Sequence, residues 1–161
     1  MAIADNRSQT RESTQPKIVV GVDGSATSFA ALEWAVQEAR LRGTTLEVVH
    51  AALLRREALE LDSSAELKKR ELSILDVAVV KARNLAPDIT VTGRIGDPPA
   101  AELLVDVSKD ADLLVVGSRG LGVFKEFTLG SVSQDCARHA QCPLVIIGPA
   151  RSEKGVVGIH A

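Results

Sequence analysis

The sequence predicts an open α/β fold, in which a parallel five-stranded sheet is covered by helices on both faces. Segments with strand-like and helix-like character alternate along the chain, a pattern typical of parallel sheets with crossover helices. The strand-like segments are continuous apolar runs, as expected for strands that are buried on both faces. With 161 residues, of which 45% are hydrophobic, the chain is long enough to form one domain with a core.

The first half of this domain is predicted to contain two strands and two helices. The runs Lys17–Asp23 and Thr44–Ala51 are rich in β-branched residues, which indicates strands. Between them, the apolar residues that share one helical face before Gly43 are Leu32, Ala35, Val36 and Ala39. A second helix is predicted from about Ala65 to Leu85, where Leu67, Ile74, Ala78 and Leu85 lie near helical spacing.

The second half is predicted to contain three further strands and two further helices. The strands are Asp88–Gly96, Ala111–Gly117 and Cys142–Pro149. A helix is expected after Asp97, where two prolines suit a helix start and the apolar face consists of Leu103, Leu104 and Val107. The other helix is Ser131–Ala140.

The domain is expected to span residues 17–149. Residues 1–16 are polar, lack periodicity and end in a proline, which predicts a flexible N-terminal tail. Residues 150–161 are assigned to a C-terminal tail.

Composition argues against several classes of partner. The formal net charge is -2, the basic residues are scattered, and there are only three Phe, one Trp and no Tyr, so nucleic acid is not an expected partner. No apolar run approaches the roughly 20 residues of a membrane span, and the N-terminus lacks the apolar region of a secretory signal. With only two cysteines, the sequence predicts a cytoplasmic protein from a reducing compartment.

The most informative motif is the glycine-rich stretch GSRGLGVFKEFTLGSVS, which begins at Gly117 where an apolar strand ends. In parallel sheets, ligands bind beyond the carboxyl ends of the strands. Glycines let the backbone approach a ligand closely, and the helix that begins after Gly130 offers free N–H groups to an anion. The hydroxyls of Ser118, Ser131 and Ser133 add donors. Because neither GxxxxGK[ST] nor GxGxxG is present, the stretch predicts a phosphate site that is neither a P-loop nor a dinucleotide fingerprint.

The spacing of these glycines resembles the ATP-binding branch of the universal stress protein family. Gly117, Gly120, Gly130 and Ser131 reproduce its GxxGx(9)G[ST] pattern. The resemblance extends from Lys17 to Pro149 through VGVDGS, ALEWA, EVVHA, GDP and RHAQCPLVII. It implies a Rossmann-like three-layer sandwich with strand order 3-2-1-4-5.

The same resemblance implies an adenine nucleotide between the loops after strands one and four. Asp23 is then expected near the adenine or ribose, and the backbone of Ala51 near the adenine. The loop after strand four is expected to line the ribose and phosphates, and the start of the following helix to hold phosphate. The candidate binding residues are Gly21, Val22, Asp23, Ser25, Ala51, Gly117, Ser118, Arg119, Gly120, Gly130, Ser131, Val132 and Ser133.

The resemblance also implies cofactors and a partner. The expected ligand is ATP with Mg²⁺, and AMP and cyclic AMP are the alternatives. A homodimer is expected through Leu144–Pro149, because an exposed apolar edge strand is a liability in a monomer. The function would be that of a nucleotide-dependent stress-response or signalling module, and no residue is predicted to be catalytic or to bind metal.

Other interpretations of these residues remain open from sequence. The protein could be a slow ATPase or nucleotide hydrolase, or an interaction protein of this fold that does not bind ATP. Asp23 could be a turn aspartate, and the glycines could serve only a tight turn.

Cysteine, histidine and tryptophan residues could have functional roles, but their positions in the sequence favour structural ones. Cys136, His139 and Cys142 lack a fourth metal ligand, so core packing is expected. His50 has no identifiable acid or nucleophile near it in sequence, and Trp34 lies among helical core residues, which favours packing for both.

Overall fold

The computed structural model describes residues 15–52, 63–97, 99–121 and 129–149. Within them the strands are β1 Lys17–Gly21, β2 Thr45–Ala51, β3 Val91–Gly96, β4 Leu113–Gly117 and β5 Leu144–Ile147. The helices are α1 Ala26–Arg42, α2 Ser63–Leu85, α3 Ala100–Ser108 and α4 Ser131–His139. The predicted tails lie outside the described residues, apart from residues 15 and 16.

The strands form a parallel sheet in the order β3-β2-β1-β4-β5, which confirms the predicted fold class and strand order. The chain winds from β1 through β2 to β3 in one direction and then returns to β4 on the other side of β1. The carboxyl ends of β1 and β4 are therefore adjacent at the point where the winding reverses, which is where such sheets bind ligands.

Each face of the sheet carries its own apolar core. Ile18 and Val20 of β1 belong to the cluster that is covered by α1 and α2, whereas Val19 belongs to the cluster that includes α3 and α4 residues. Successive side chains of a strand point to opposite faces, so a strand with only apolar residues serves both clusters. The continuous apolar runs of β1 and β4 thus reflect burial on both faces, as predicted, whereas edge strand β3 is largely exposed.

Local sequence explains both ends of α1. The Ser25 side chain caps the helix by accepting a hydrogen bond from the backbone N–H of Ser28. At the other end Gly43 adopts a left-handed conformation with φ 63°, and its N–H bonds to the last helical carbonyls, a role for which glycine is favoured.

Leu85 lies near helical spacing with Ile74 and Ala78 but not on the buried face of α2, because its side chain is 47% exposed. The buried residues of α2 and of the position after it follow the i, i+3, i+4 spacing of one helical stripe: Leu75, Ala78, Val79, Ala82 and Ala86. Leu85 precedes the last of them by one residue and is rotated by about 100° away from it.

Strand β2 contains one buried acid among its apolar residues. Glu47 of β2 is 7% exposed and pairs with Lys17 Nζ at 2.8 Å and with Arg94 Nε. Burial raises the pKa of Glu47, but the hydrogen bonds and charges of these two bases outweigh it and hold the pKa below its ordinary value. The ion pairs tie the starts of β1 and β2 to edge strand β3.

No helix in the described part of the chain is long and apolar enough to cross a membrane.

Candidate functional site

A cavity of about 260 Å³ opens at the carboxyl ends of β1 and β4. Its walls come from both strand ends, the end of β2, and the first turns of α1, α3 and α4. Every predicted binding residue lines it except Ser25 and Ser118; those in the wall are Gly21, Val22, Asp23, Ala51, Gly117, Arg119, Gly120, Gly130, Ser131, Val132 and Ser133. The structure therefore brings together residues that are more than 100 positions apart.

The cavity also has an apolar wall that the motif did not indicate. The additional lining residues are Ser28, Val49, Ala100, Leu103, Leu104 and Val116. Val49 and Val116 could have been found from sequence, because each lies within two residues of a predicted site residue at a strand end. The leucines of α3 could not, since only the packing of that helix across the sheet places them here.

Asp23 joins the loop after β1 to the glycine loop after β4. One carboxylate oxygen accepts a hydrogen bond from Ser25 N at 2.9 Å, which is the arrangement expected of a turn aspartate. The other accepts from Leu121 N at 3.2 Å. Asp23 is therefore both a turn aspartate and a residue of the site. Its carboxylate stabilises its own turn and anchors the glycine loop, and Asp23 lines the cavity.

The glycine loop is further anchored by the first turn of α1. The carbonyl of Arg119 accepts a hydrogen bond from Thr27 Oγ1 and a longer one, 3.5 Å, from Ser25 Oγ. This contact leaves the Arg119 side chain as part of the cavity wall. Ser25 thus contacts the glycine loop but does not line the cavity.

Ser118 holds the glycine loop through its backbone. Its N–H donates to the carbonyl of Ile147 at 2.7 Å, and its carbonyl accepts from Gly130 N at 2.8 Å. Its side chain is buried, and Oγ has no hydrogen-bond partner among the described residues. The structure therefore places this hydroxyl away from the cavity wall.

The three glycines of the motif have different neighbours. A Cβ on Gly117 would lie 2.9 Å from the Thr27 carbonyl carbon, and one on Gly120 would lie 2.6 Å from Asp23 Oδ2. A Cβ on Gly130 would meet nothing closer than 3.5 Å. The first two glycines allow close packing within the protein, whereas the third leaves space beside the loop.

The start of α4 can bind an anion. Gly130 is its N-cap and offers no side-chain capping group, and Gln134 N makes the bond back to the Gly130 carbonyl. The N–H groups of Ser131, Val132 and Ser133 therefore have no partner within the helix, and they lie at the positive end of the helix dipole. The Ser133 hydroxyl donates to the Gly117 carbonyl at 2.8 Å, so Ser133 offers an anion its backbone N–H.

The charge distribution of the cavity suits a ligand with an anionic end and an apolar end. Among the described residues, the charged ones in its lining are Asp23 and Arg119, and the free N–H groups at the start of α4 belong to the same lining. Its apolar residues include Val49, Leu104 and Val116. Such an arrangement can bind and orient a ligand of this kind.

The cysteines occupy structural positions. Cys136 is fully buried in the cluster that α3 and α4 cover, and burial raises the pKa of its thiol to about 11. A thiol with such a pKa is not a ready metal ligand. Within the residues that the structure covers, no group of three or more His, Cys, Asp and Glu side chains could hold a metal ion.

The sequence identified no acid near His50, but the structure places Glu71 next to its ring. The expected structural role of His50 is refined accordingly. His50 lies at the end of β2 and contacts Glu71 of α2 and the carbonyl of Val22. Trp34, in contrast, is partly buried against the core as predicted.

Comparison with known proteins gives consistent matches along the chain. A family model described as the universal stress protein family matches residues 16–148. The universal stress protein Rv2623 of Mycobacterium tuberculosis is 37% identical over 138 residues, which cover 81% of this chain and 46% of the relative. The chain thus spans about half the length of the curated relatives it matches.

Solved structures of the same kind include nucleotide complexes. A universal stress protein in complex with cAMP matches with a TM-score of 0.64 and 27% identity, covering 83% of this chain and 97% of that one. The universal stress protein from Archaeoglobus fulgidus in complex with dAMP matches with a TM-score of 0.61 and 26% identity, with the same coverage.

Proposed function

This chain belongs to the universal stress protein family, and from that premise we propose that its cavity binds an adenine nucleotide. The observation that carries the proposal is the glycine-lined cavity, which meets the free N–H groups of α4 beside the carboxyl ends of β1 and β4. Relatives that were solved with cAMP and with dAMP support an adenine ligand.

In this proposal, the phosphates lie at the start of α4. The N–H groups of Ser131, Val132 and Ser133 bind phosphate oxygens, and Gly130 leaves room for them. The Arg119 side chain adds positive charge. Ser118 and Gly117 contribute by fixing the loop, and Gly120 by its contact with Asp23.

The adenine and ribose lie toward β1 and β2. The base packs against the apolar wall of Val49, Leu104 and Val116, whereas Gly21, Val22 and the backbone of Ala51 border its edge. Asp23 contacts the ribose or the base with the lone pairs that its two hydrogen bonds leave free. Ser25 acts indirectly, through the turn that it caps.

We propose ATP with Mg²⁺ as the physiological ligand and a signalling or stress-response output. The helix start and Arg119 can serve more than one phosphate. A bound nucleotide changes the output only if it binds one conformation of the protein more tightly than another, so the proposed role is that of a nucleotide-dependent module.

Calorimetric titration of nucleotide-free protein with ATP, AMP and cyclic AMP, each with and without Mg²⁺, tests the proposal. We expect saturable binding of one nucleotide per chain, with a magnesium-dependent preference for ATP. Assay of ADP in the same samples separates binding from slow hydrolysis. If folded protein binds none of the three nucleotides, the proposal is wrong and a module of this fold with another ligand is favoured.

A homodimer through Leu144–Pro149 is the second part of the proposal. The carbonyl of Pro143, just before β5, accepts a hydrogen bond from Leu114 N, and the carbonyl of Ile147 accepts one from Ser118 N, just after β4. Because the backbone groups of a strand alternate in direction, those of Leu144 and Ile146 point to the free edge of the sheet. They are available to pair with a second copy.

Ile146→Pro should therefore weaken the dimer without breaking the contact of β5 with β4. The substitution removes an N–H from the free edge only, a position where proline is tolerated in sheets. We expect light scattering after size exclusion to show dissociation at concentrations about tenfold higher than for the unaltered chain, with an unchanged circular dichroism spectrum. Ile146→Val keeps the N–H and is the control. A dimer that persists in the proline variant would place the interface elsewhere.

We also propose a cytoplasmic location, which the two free cysteines, Cys136 and Cys142, support because reducing compartments keep thiols unpaired. Fractionation of the producing cells tests it.

A further inference from the structure

His50 contacts both the cavity wall and helix α2. It is 3% exposed. Its Nδ1 lies 2.7 Å from the carbonyl oxygen of Val22, and its Nε2 lies 2.7 Å from Glu71 Oε2. Val22 lines the cavity, and none of the described side chains of α2 does. A single buried ring thus connects the site to this helix.

The partners determine where the ring carries its protons. A carbonyl oxygen only accepts hydrogen bonds, so the contact with Val22 requires a proton on Nδ1. The contact with Glu71 then holds a second proton between Nε2 and the carboxylate. That proton completes a direct hydrogen bond between the ring and the Glu71 carboxylate.

Hydrogen bonds of Asp23 with Ser25, Ser28 and Leu121 fix the later part of the loop after β1, whereas Val22 is held from β2. Val22 N donates to the Val49 carbonyl at 2.9 Å, and His50 holds the carbonyl of the same residue. One helical turn after Glu71, Ile74 packs over the turn at Gly24, where its Cδ1 lies 3.3 Å from the position of a Cβ. Helix α2 thus supports the loop at two places, by a polar contact through His50 and by an apolar contact through Ile74.

We propose that His50 is a positioning residue for the nucleotide site. It fixes the Val22 carbonyl, and with it the loop that carries Asp23, while Glu71 fixes the ring. The inference rests on the proposed function, because nucleotide affinity is one of its two readouts.

Three variants separate the two contacts of the ring. Glu71→Gln supplies an amide that donates to Nε2 and avoids an unpaired buried acid, so it is the reference background. In that background, His50→Asn places its amide nitrogen near the position of Nδ1 and keeps the bond to Val22. His50→Gln places its amide nitrogen near the position of Nε2 and keeps only the contact with α2. Both double variants lose ring packing, so their stabilities in urea should fall together.

Titration with AMP gives the first readout. We expect the His50→Gln double variant to bind AMP about tenfold more weakly than the Glu71→Gln reference, as for the loss of one positioning hydrogen bond. The His50→Asn double variant should stay within about threefold of the reference. Equal affinities of the two double variants would overturn the inference.

Nuclear magnetic resonance of the nucleotide-free protein gives the second readout and needs no ligand. The His50 ring should show a proton on Nδ1, the nitrogen that faces the Val22 carbonyl. The amide signals of Asp23, Gly24 and Ser25 should shift in the His50→Gln double variant and match the reference in the His50→Asn one. An unprotonated Nδ1, or unchanged loop signals in both, would overturn the inference even if AMP binds. If the unaltered chain fails to bind AMP while the loop signals behave as expected, the proposed function fails and the positioning of the loop by His50 stands.

Discussion

Gly117→Ala is expected to lower the free energy of unfolding by about 2 to 3 kcal/mol, the usual cost of overpacking a tight contact. The new Cβ would lie 2.9 Å from the Thr27 carbonyl carbon and 3.0 Å from Ser28 N, both of which are backbone atoms in the first turn of α1. Backbone in a helix cannot rotate away as a side-chain end can. The end of β4 and the start of α1 must therefore separate, which also disturbs the bond from Thr27 to the Arg119 carbonyl.

Urea denaturation measures this effect, with Gly148→Ala as the matched control. Because Gly148 lies in the proposed dimer segment, both variants are compared at a protein concentration at which they are monomeric. Gly148 directly follows β5 as Gly117 ends β4, and a Cβ there would meet nothing within 4 Å. Neither glycine has a positive φ, so backbone strain does not distinguish them. The Gly148→Ala variant should be as stable as the unaltered chain or up to about 1 kcal/mol more stable, because alanine reduces the entropy of the unfolded chain. Equal stabilities of the two variants would show that α1 and β4 are not packed as tightly as the distances indicate.

Gly130→Val is expected to fold and to bind adenine nucleotides at least about thirtyfold more weakly, which corresponds to roughly 2 kcal/mol of steric conflict. The backbone of Gly130 is extended, with φ -64° and ψ 159°, so valine meets no conformational barrier. Its Cβ would be in ordinary contact with the Ser118 carbonyl. The two further methyl groups would then extend into the space that the proposal assigns to phosphate.

Gly130→Ala is the control for this substitution. Alanine and valine are both poorer N-cap residues than glycine, and each lowers the stability of the helix by about 1 kcal/mol. The difference in nucleotide affinity between the two variants therefore measures the effect of the two added methyl groups. The comparison is made by calorimetry with AMP and ATP on variants whose urea midpoints are checked first. If the valine variant binds as tightly as the alanine variant, the phosphates do not lie beside Gly130. Gly117→Val is a poorer probe of binding, because its loss of stability would obscure any change in nucleotide affinity.

The sequence by itself determined the sheet and the position of the site in it. The runs KIVVG and LLVVG predicted strands buried on both faces, because continuous apolar stretches of that length have no solvent side. Alternation with helices then predicted parallel pairing, and the family resemblance of the glycine pattern implied that the loop lies beside β1. Those features are local, so they can be read within windows of a few to some twenty residues.

Contacts between distant segments were decided only by the tertiary structure. The pairs His50 with Glu71, Thr27 with Arg119, and Asp23 with Leu121 are separated by 21, 92 and 98 residues, and no local pattern relates their members. For the same reason the hydroxyls of Ser25 and Ser118 could not be distinguished from those that line the cavity, and Leu85 could not be placed outside the core. Side-chain direction at such positions depends on how the helices pack against the sheet, because packing rather than periodicity selects which of several apolar or polar residues is enclosed.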